Sequence, residues 1–190
     1  METLIHLDKQ VFLFLNNLGN PAWDTFWLTI TDKWMAIPLY ALLLYLIFRK
    51  LGVKATALTL VVIALMIACS DQLANVFKHA VERPRPCRQE GVMESMRFIA
   101  VRCGLYGYYS AHASNSMALA LFLGIVLKKH YSNLLYFLLF WAFLVGYSRI
   151  YIGVHYPLDV LSGLAMGTLL GLIFSRLQPW LLKKFKLTSA

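Results

Sequence analysis

Five stretches without Asp, Glu, Lys or Arg set the terms on which this chain folds. They lie between Lys33 and Arg49, Lys54 and Asp71, Arg102 and Lys128, His130 and Arg149, and Asp159 and Arg176. A helix crossing a bilayer needs about 20 mostly apolar residues. Several of the runs reach that length only if polar residues at one end are tucked into protein. Backbone in lipid must satisfy its own N–H and C=O groups, and a helix does so within one segment. The expectation is an all-α, polytopic membrane bundle with spans near 33–50, 55–78, 111–128, 132–151 and 157–177.

Composition agrees. The chain is 59% hydrophobic and 14% charged, where soluble domains carry about 25% charged residues. With no repeat, low-complexity tract or Pro/Gly/Ser-rich linker, residues 1–190 read as one domain. The start, METLIHLDKQ, has two acids early and no basic n-region, so no cleavable signal peptide is expected. Residues 1–32 read first as an amphipathic, interfacial helix region, with a sixth, imperfect span as the alternative. The net charge of +9 does not imply nucleic acid, because the basic residues are dispersed beside apolar runs rather than gathered on one face.

Loop charges give an orientation. Arg49, Lys50, Lys54, Lys128, Lys129, Arg176, Lys183, Lys184 and Lys186 fall on one side with no acid among them. All nine acids fall on the other. The positive-inside rule makes the acid-free side cytoplasmic. Lys78, the 80–108 loop, Arg149, His155 and Asp159 then share the external face.

Three clusters converge there: KHAVERPRP, YSAHAS and SRIYIGVHYPLD. Gly153 suits a helix C-terminus and Pro157 the first turn of the next helix, so the third cluster reads as a tight turn. Lys78, Arg85 and Arg149 supply three positive charges. Arg offers a planar fork that fits phosphate, and Lys a point charge. Ser110 supplies a hydroxyl, and the helix start at Ala111 supplies backbone N–H groups. Together these describe a phosphoryl pocket. Asp159 can orient His155 so that its other ring nitrogen attacks phosphorus, and His112 can protonate the leaving oxygen. No metal or other cofactor is called for. Two His and an Asp are acceptable metal ligands, but three adjacent cations would repel a dication. Taken singly, Arg149 also reads as a snorkelling anchor and His112 as an ordinary hydrogen-bonded side chain. The convergence on one face outweighs those readings.

Lys78-x6-Arg85-Pro86, then Ser110-x-His112, then Ser148-Arg149-x5-His155-x3-Asp159 resembles the signature of the type 2 phosphatidic acid phosphatase superfamily. That family shares its fold with vanadium haloperoxidases and bacterial acid phosphatases. The first and third motifs match in full. The second, usually PSGH, is Tyr109-Ser110-Ala111-His112, and Tyr109 is expected to reshape the pocket edge. The resemblance implies a core of about six helices and metal-independent hydrolysis. It implies a phosphohistidine on His155, with His112 as acid and Asp159 as orienter. It implies phosphate contacts from Lys78, Arg85, Ser110, Ala111 and Arg149.

An active site at headgroup level suits a lipid phosphate or diphosphate whose tail stays among the membrane lipids. Undecaprenyl diphosphate is the first expectation, with phosphatidylglycerol phosphate and lipid A as alternatives, in a bacterial inner membrane with the site facing the periplasm. A phosphate-binding transporter or anion channel is the rival class. It needs a polar path to the other face, and segments such as LALFLGIVL are apolar. Cys87 and Cys103 bracket the external loop, where an oxidising compartment would permit a disulfide. Two free thiols are the equal alternative.

Overall fold

The computed structural model describes residues 2–32 and 34–187; Lys33, at which the first expected span begins, lies outside them. The helices are α1 (Glu2–Asn17), α2 (Pro21–Thr31), α3 (Ile37–Val81), α4 (Ala111–Val126), α5 (Leu134–Tyr151) and α6 (Pro157–Lys184), with a short 3-10 turn at Pro86–Arg88. Three of them, α3, α5 and α6, are long and apolar enough to cross a membrane, and α4 is a shorter apolar helix.

The first two expected spans are one element, the 45-residue α3. It is broken in conformation at Gly52, where φ is +75° and ψ 175°, a combination open to glycine alone. The two arms fold back on one another, so that Tyr40 and Ile67, and Ile47 and Leu60, line the same groove. The loop expected around Arg49–Lys54 is therefore a single-residue reversal. α6 also runs seven residues past the expected end at 177. Gln178 explains part of this: it is buried and donates to Thr59 Oγ1 at 3.0 Å, tying the distal end of α6 to α3.

The centre of the bundle is the contact between α4 and α6. Gly163, Gly167 and Gly171 recur every four residues along α6 and face the carbonyls of Ser110, Ser114 and Ala118 on α4. Small residues at this spacing let two membrane helices approach backbone to backbone. Around this seam Met117, Phe122, Leu123, Leu138, Val160 and Leu164 form the core.

Although α1 has only 16 residues, buried polar side chains hold it to the bundle. Its inward stripe is Asp8, Phe12 and Asn16, while Leu4, Leu7, Phe14 and Leu18 face outward. Asn16 Nδ2 donates to the carbonyls of Arg97, Ile150 and Tyr151, and its Oδ1 accepts from Arg97 N–H. α1 thus lies across the ends of α5 and α6 that carry the third sequence cluster. α2 follows, capped by Asn20, and its Asp24 pairs with Arg97 at 2.9 Å.

Cys87 and Cys103 are joined by a disulfide, with Cα atoms 6.3 Å apart and 16 positions between them. The bridge closes the long loop just after Arg85, and Pro84 and Tyr106 pair as an isolated bridge inside it. In the chain-entropy account a closed loop of this size contributes about 3 kcal/mol. Cys87→Ser with Cys103→Ser is expected to lower the thermal midpoint by several degrees in a detergent-solubilised melt. Equal midpoints for wild type with and without reductant would remove that contribution.

Candidate active site

Each candidate residue sits at a helix end for a local reason. Lys78 occupies the last turn of the second arm of α3. Ser110 is the N-cap of α4, its Oγ accepting from Ala113 N–H at 3.5 Å, so Ala111 and His112 open that helix. Arg149 lies in the last turn of α5. Gly153, at φ +85°, follows the C-cap residue Ile152 and lets the chain turn back so that Val154 and His155 N–H both donate to Arg149 C=O. Pro157 then starts α6, and Asp159 in its first turn accepts from Tyr156 N–H at 3.0 Å, a capping-box arrangement.

The turn brings His155 onto Asp159. Their Nδ1 and Oδ2 atoms are 3.4 Å apart, and Nδ1 has no closer partner. That spacing is just beyond a working hydrogen bond, within reach of a small side-chain rotation. His155 is 2% exposed and Asp159 fully buried. Burial pushes the His155 ring down to about 4, with the Asp159 carboxylate acting against it and Arg85 and Arg149 adding to it. The ring is held neutral at physiological pH.

Arg85 reaches the same place from the disulfide-closed loop. Its Nε donates to Tyr106 C=O at 3.0 Å. Gly107 is the point of close approach: a Cβ there would lie 2.8 Å from Asp159 Oδ2 and 3.3 Å from Arg85 Cγ. Arg149 is buried, donates to Thr31 Oγ1 on α2, and holds a buried Nε–H with no hydrogen-bond partner among the described residues. The charges of Arg149, Arg85 and Lys78 and the His155 ring all act on His112, whose side chain is exposed in the cleft. Lys78, Arg85, Arg149, His112, His155 and Asp159 therefore share one end of the bundle.

Tyr109 departs from its expectation. It is not at the pocket edge but 2% exposed, with its ring against Phe77 and its hydroxyl donating to Ser70 C=O at 3.3 Å. Ser110 N–H is engaged by Asp159 C=O at 2.9 Å, so that backbone group joins α4 to α6.

Sequence reasoning missed four residues. Arg83 donates to Asp159 Oδ1 at 2.9 Å and also to Asp8. Thr31 holds Arg149, and Asn16 ties three segments together. Arg83 had a visible signal, a second Arg-Pro pair immediately before Arg85-Pro86. Asp8, an acid in an apolar helix, had a weaker one.

The PAP2 superfamily profile matches residues 59–183, which holds every one of the motif residues. The chain belongs to the PAP2 superfamily. It is 36% identical over 177 residues to a lipid A 4'-phosphatase of Bacteroides thetaiotaomicron, covering 92% of this chain and 78% of that protein. A lipid A 4'-phosphatase of Porphyromonas gingivalis is 31% identical, with 90% and 72% covered. Among solved structures, Aquifex aeolicus LpxE superposes with a TM-score of 0.68 at 27% identity, covering 88% of this chain and 93% of that one. The PAP2-type phosphatidylglycerolphosphate phosphatase of Bacillus subtilis gives 0.75 at 21% identity, covering 94% and 88%, a likeness of fold. This PAP2 protein is accordingly an integral membrane lipid phosphatase, a phosphoric ester hydrolase on an all-helical fold.

Proposed function

We propose that the chain hydrolyses a phosphate monoester of lipid A through a phosphohistidine on His155. The observation that carries the lipid is the pair of lipid A 4'-phosphatases, each aligned over about nine-tenths of this chain. They support lipid A over undecaprenyl diphosphate, the first expectation from sequence. An apolar groove of about 330 Å³ between the arms of α3 and α4 supports a lipid substrate. It shares Tyr40 and Asn115 with a cavity of about 290 Å³ beside His112, so an acyl chain has a path from the cleft into the bundle.

Asp159 faces Nδ1 of His155, so Nε2 is the attacking nitrogen. A P–N bond forms as the P–O bond to the sugar breaks, and His112 gives its proton to the leaving oxygen. Water then attacks the phosphohistidine, His112 takes its proton, and inorganic phosphate leaves. Lys78, Arg85, Arg149, the Ser110 hydroxyl and the Ala111 N–H hold the phosphoryl oxygens and stabilise charge as it develops. No step uses a metal. The active end faces the periplasm in this reading, because the opposite end carries Arg49, Lys50, Lys54, Lys128 and Lys129 without an acid.

The test is phosphate release by purified protein with EDTA present. Lipid A 4'-phosphate is expected to be the best substrate on a panel that includes undecaprenyl diphosphate and phosphatidylglycerol phosphate. A clear preference for either of those would overturn the assignment. The acid limb of kcat/KM follows from His155. Its folded-state value is held below the ordinary 6.5, so the reactive neutral form persists through pH 5–6 and is lost as pH falls toward about 4. An acid limb at 6.5 or above would contradict the burial argument.

A further inference from the structure

Arg83 is the hinge of an ion-pair chain that runs from α1 to the nucleophile. Its guanidinium donates to Asp159 Oδ1 and to Asp8 Oδ2 and stacks 4.2 Å from the centre of the Tyr156 ring. Asp8 turns its other oxygen to Leu158 N–H, at 2.9 Å, in the first turn of α6. The side chain of Asp8 is 2% exposed, that of Arg83 15% and that of Asp159 fully buried. A half-buried cation between two buried carboxylates has no reason to persist unless all three are held in register. All three touch the segment 155–159: Asp159 faces His155, Arg83 lies over the Tyr156 ring and Asp8 accepts from Leu158 N–H.

We propose that Asp8 and Arg83 are positioning residues that fix the orientation of Asp159 and, through it, the readiness of His155 to attack. This rests on the phosphatase reading above. Asp159 has Oδ1 committed to Arg83, which leaves Oδ2 for Tyr156 N–H and His155 Nδ1. Arg83 engages Oδ1 and stops the carboxylate from rotating. Asp8 pins the far side of the guanidinium and takes up part of its charge. Burial pushes the Asp8 carboxyl above the usual carboxylate range, while Arg83 and Leu158 N–H act against that.

The two residues have opposite signs of effect. Without Arg83 the Asp159 charge falls fully on His155, and the ring holds its proton to higher pH. Without the Asp8 charge, Arg83 neutralises Asp159 more completely, and the ring gives up its proton more readily. The other groups facing the ring are Arg149 on α5, Arg85 in the loop and His112 on α4, with Lys78 on α3 close to both arginines. All four stay in place in the variants.

The experiment is NMR titration of ¹⁵N-histidine-labelled full-length protein in detergent, with the His155 signal assigned by its loss in His155→Ala. Arg83→Gln is expected to move the His155 midpoint up by about one unit and Asp8→Asn to move it down by about half a unit. Arg83→Lys, which keeps the charge, is expected to stay closer to wild type. In parallel, kcat of Arg83→Gln on lipid A is expected to fall about 10- to 100-fold with KM nearly unchanged. Unmoved midpoints, or midpoints that move together, would overturn the proposal. If Arg83→Gln does not fold, Asp8→Asn and Arg83→Lys decide it: a downward shift in the first with little shift in the second supports it, and no shift in Asp8→Asn overturns it. A wild type that releases no phosphate from any lipid would sink the phosphatase reading while leaving the titration result standing.

Discussion

His155→Ala is expected to abolish phosphate release, by at least about 10⁴-fold in kcat/KM, with the folded protein retained. Removing the attacking group from a covalent hydrolase is worth about 10⁶, because the remaining groups have nothing to activate. Here those groups are Lys78, Arg85 and Arg149, which still gather around a phosphate, so binding is expected to outlast turnover. The substitution leaves a small cavity at a site that is 2% exposed, so the variant must first elute from gel filtration as wild type does. Lipid A phosphate is then followed in single-turnover mode, together with capture of labelled phosphoenzyme quenched in alkali. Wild type should show the covalent species and His155→Ala none. Turnover within about tenfold of wild type would move the nucleophile elsewhere.

Gly167→Leu is expected to be the most damaging single change outside the site. A Cβ at Gly167 would collide with Ser114 C=O and lie 2.9 Å from Met117 Cβ, and neither is a free side-chain end that can swing aside. Leucine adds three more carbons to that collision. Overpacking a tight core costs about 1–3 kcal/mol and occasionally more; a backbone contact at the central seam belongs at or above the top of that range. The seam also carries the site, because Ser110 N–H is held by Asp159 C=O across it. Pushing α6 from α4 would therefore separate His155 and Asp159 from His112. The expected result is loss of monodisperse protein on extraction. Extraction and activity like wild type would mean that the α4–α6 distance is not limiting. Gly52→Leu, with open space around its Cβ, is a control for backbone strain without a packing collision.

What could be read from sequence was whatever lay at a helix end with a fixed spacing. His155 and Asp159 are four apart, and Lys78 and Arg85 seven apart, so their proximity is local. The bundle itself followed from uncharged runs. What escaped reading was long-range pairing. Arg83 meets Asp159 across 76 positions and Asp8 across 75, and no periodicity connects those residues. Tyr109 was misplaced because the motif implied a side chain at the pocket, while the chain turns its ring into the α3–α4 contact. The turn between the first two expected spans is tighter than read: Arg49, Lys50 and Lys54 suggested a loop, whereas Gly52 at positive φ makes the reversal.

Asn16 also says something about the order in which the molecule is made. Its amide leaves the ribosome early, yet two of its acceptors, the carbonyls of Ile150 and Tyr151, are 134 and 135 positions downstream. Asp8 waits longer still, for Leu158 N–H, 150 positions away. Until α5 and the start of α6 have been made, Asn16 has only Arg97 among these partners and Arg83 lacks one of its two carboxylates. Assembly of this end of the bundle therefore waits for residues 150–159, and a nascent chain halted before residue 159 still lacks the Asp159 arm of the Arg83 ion pairs.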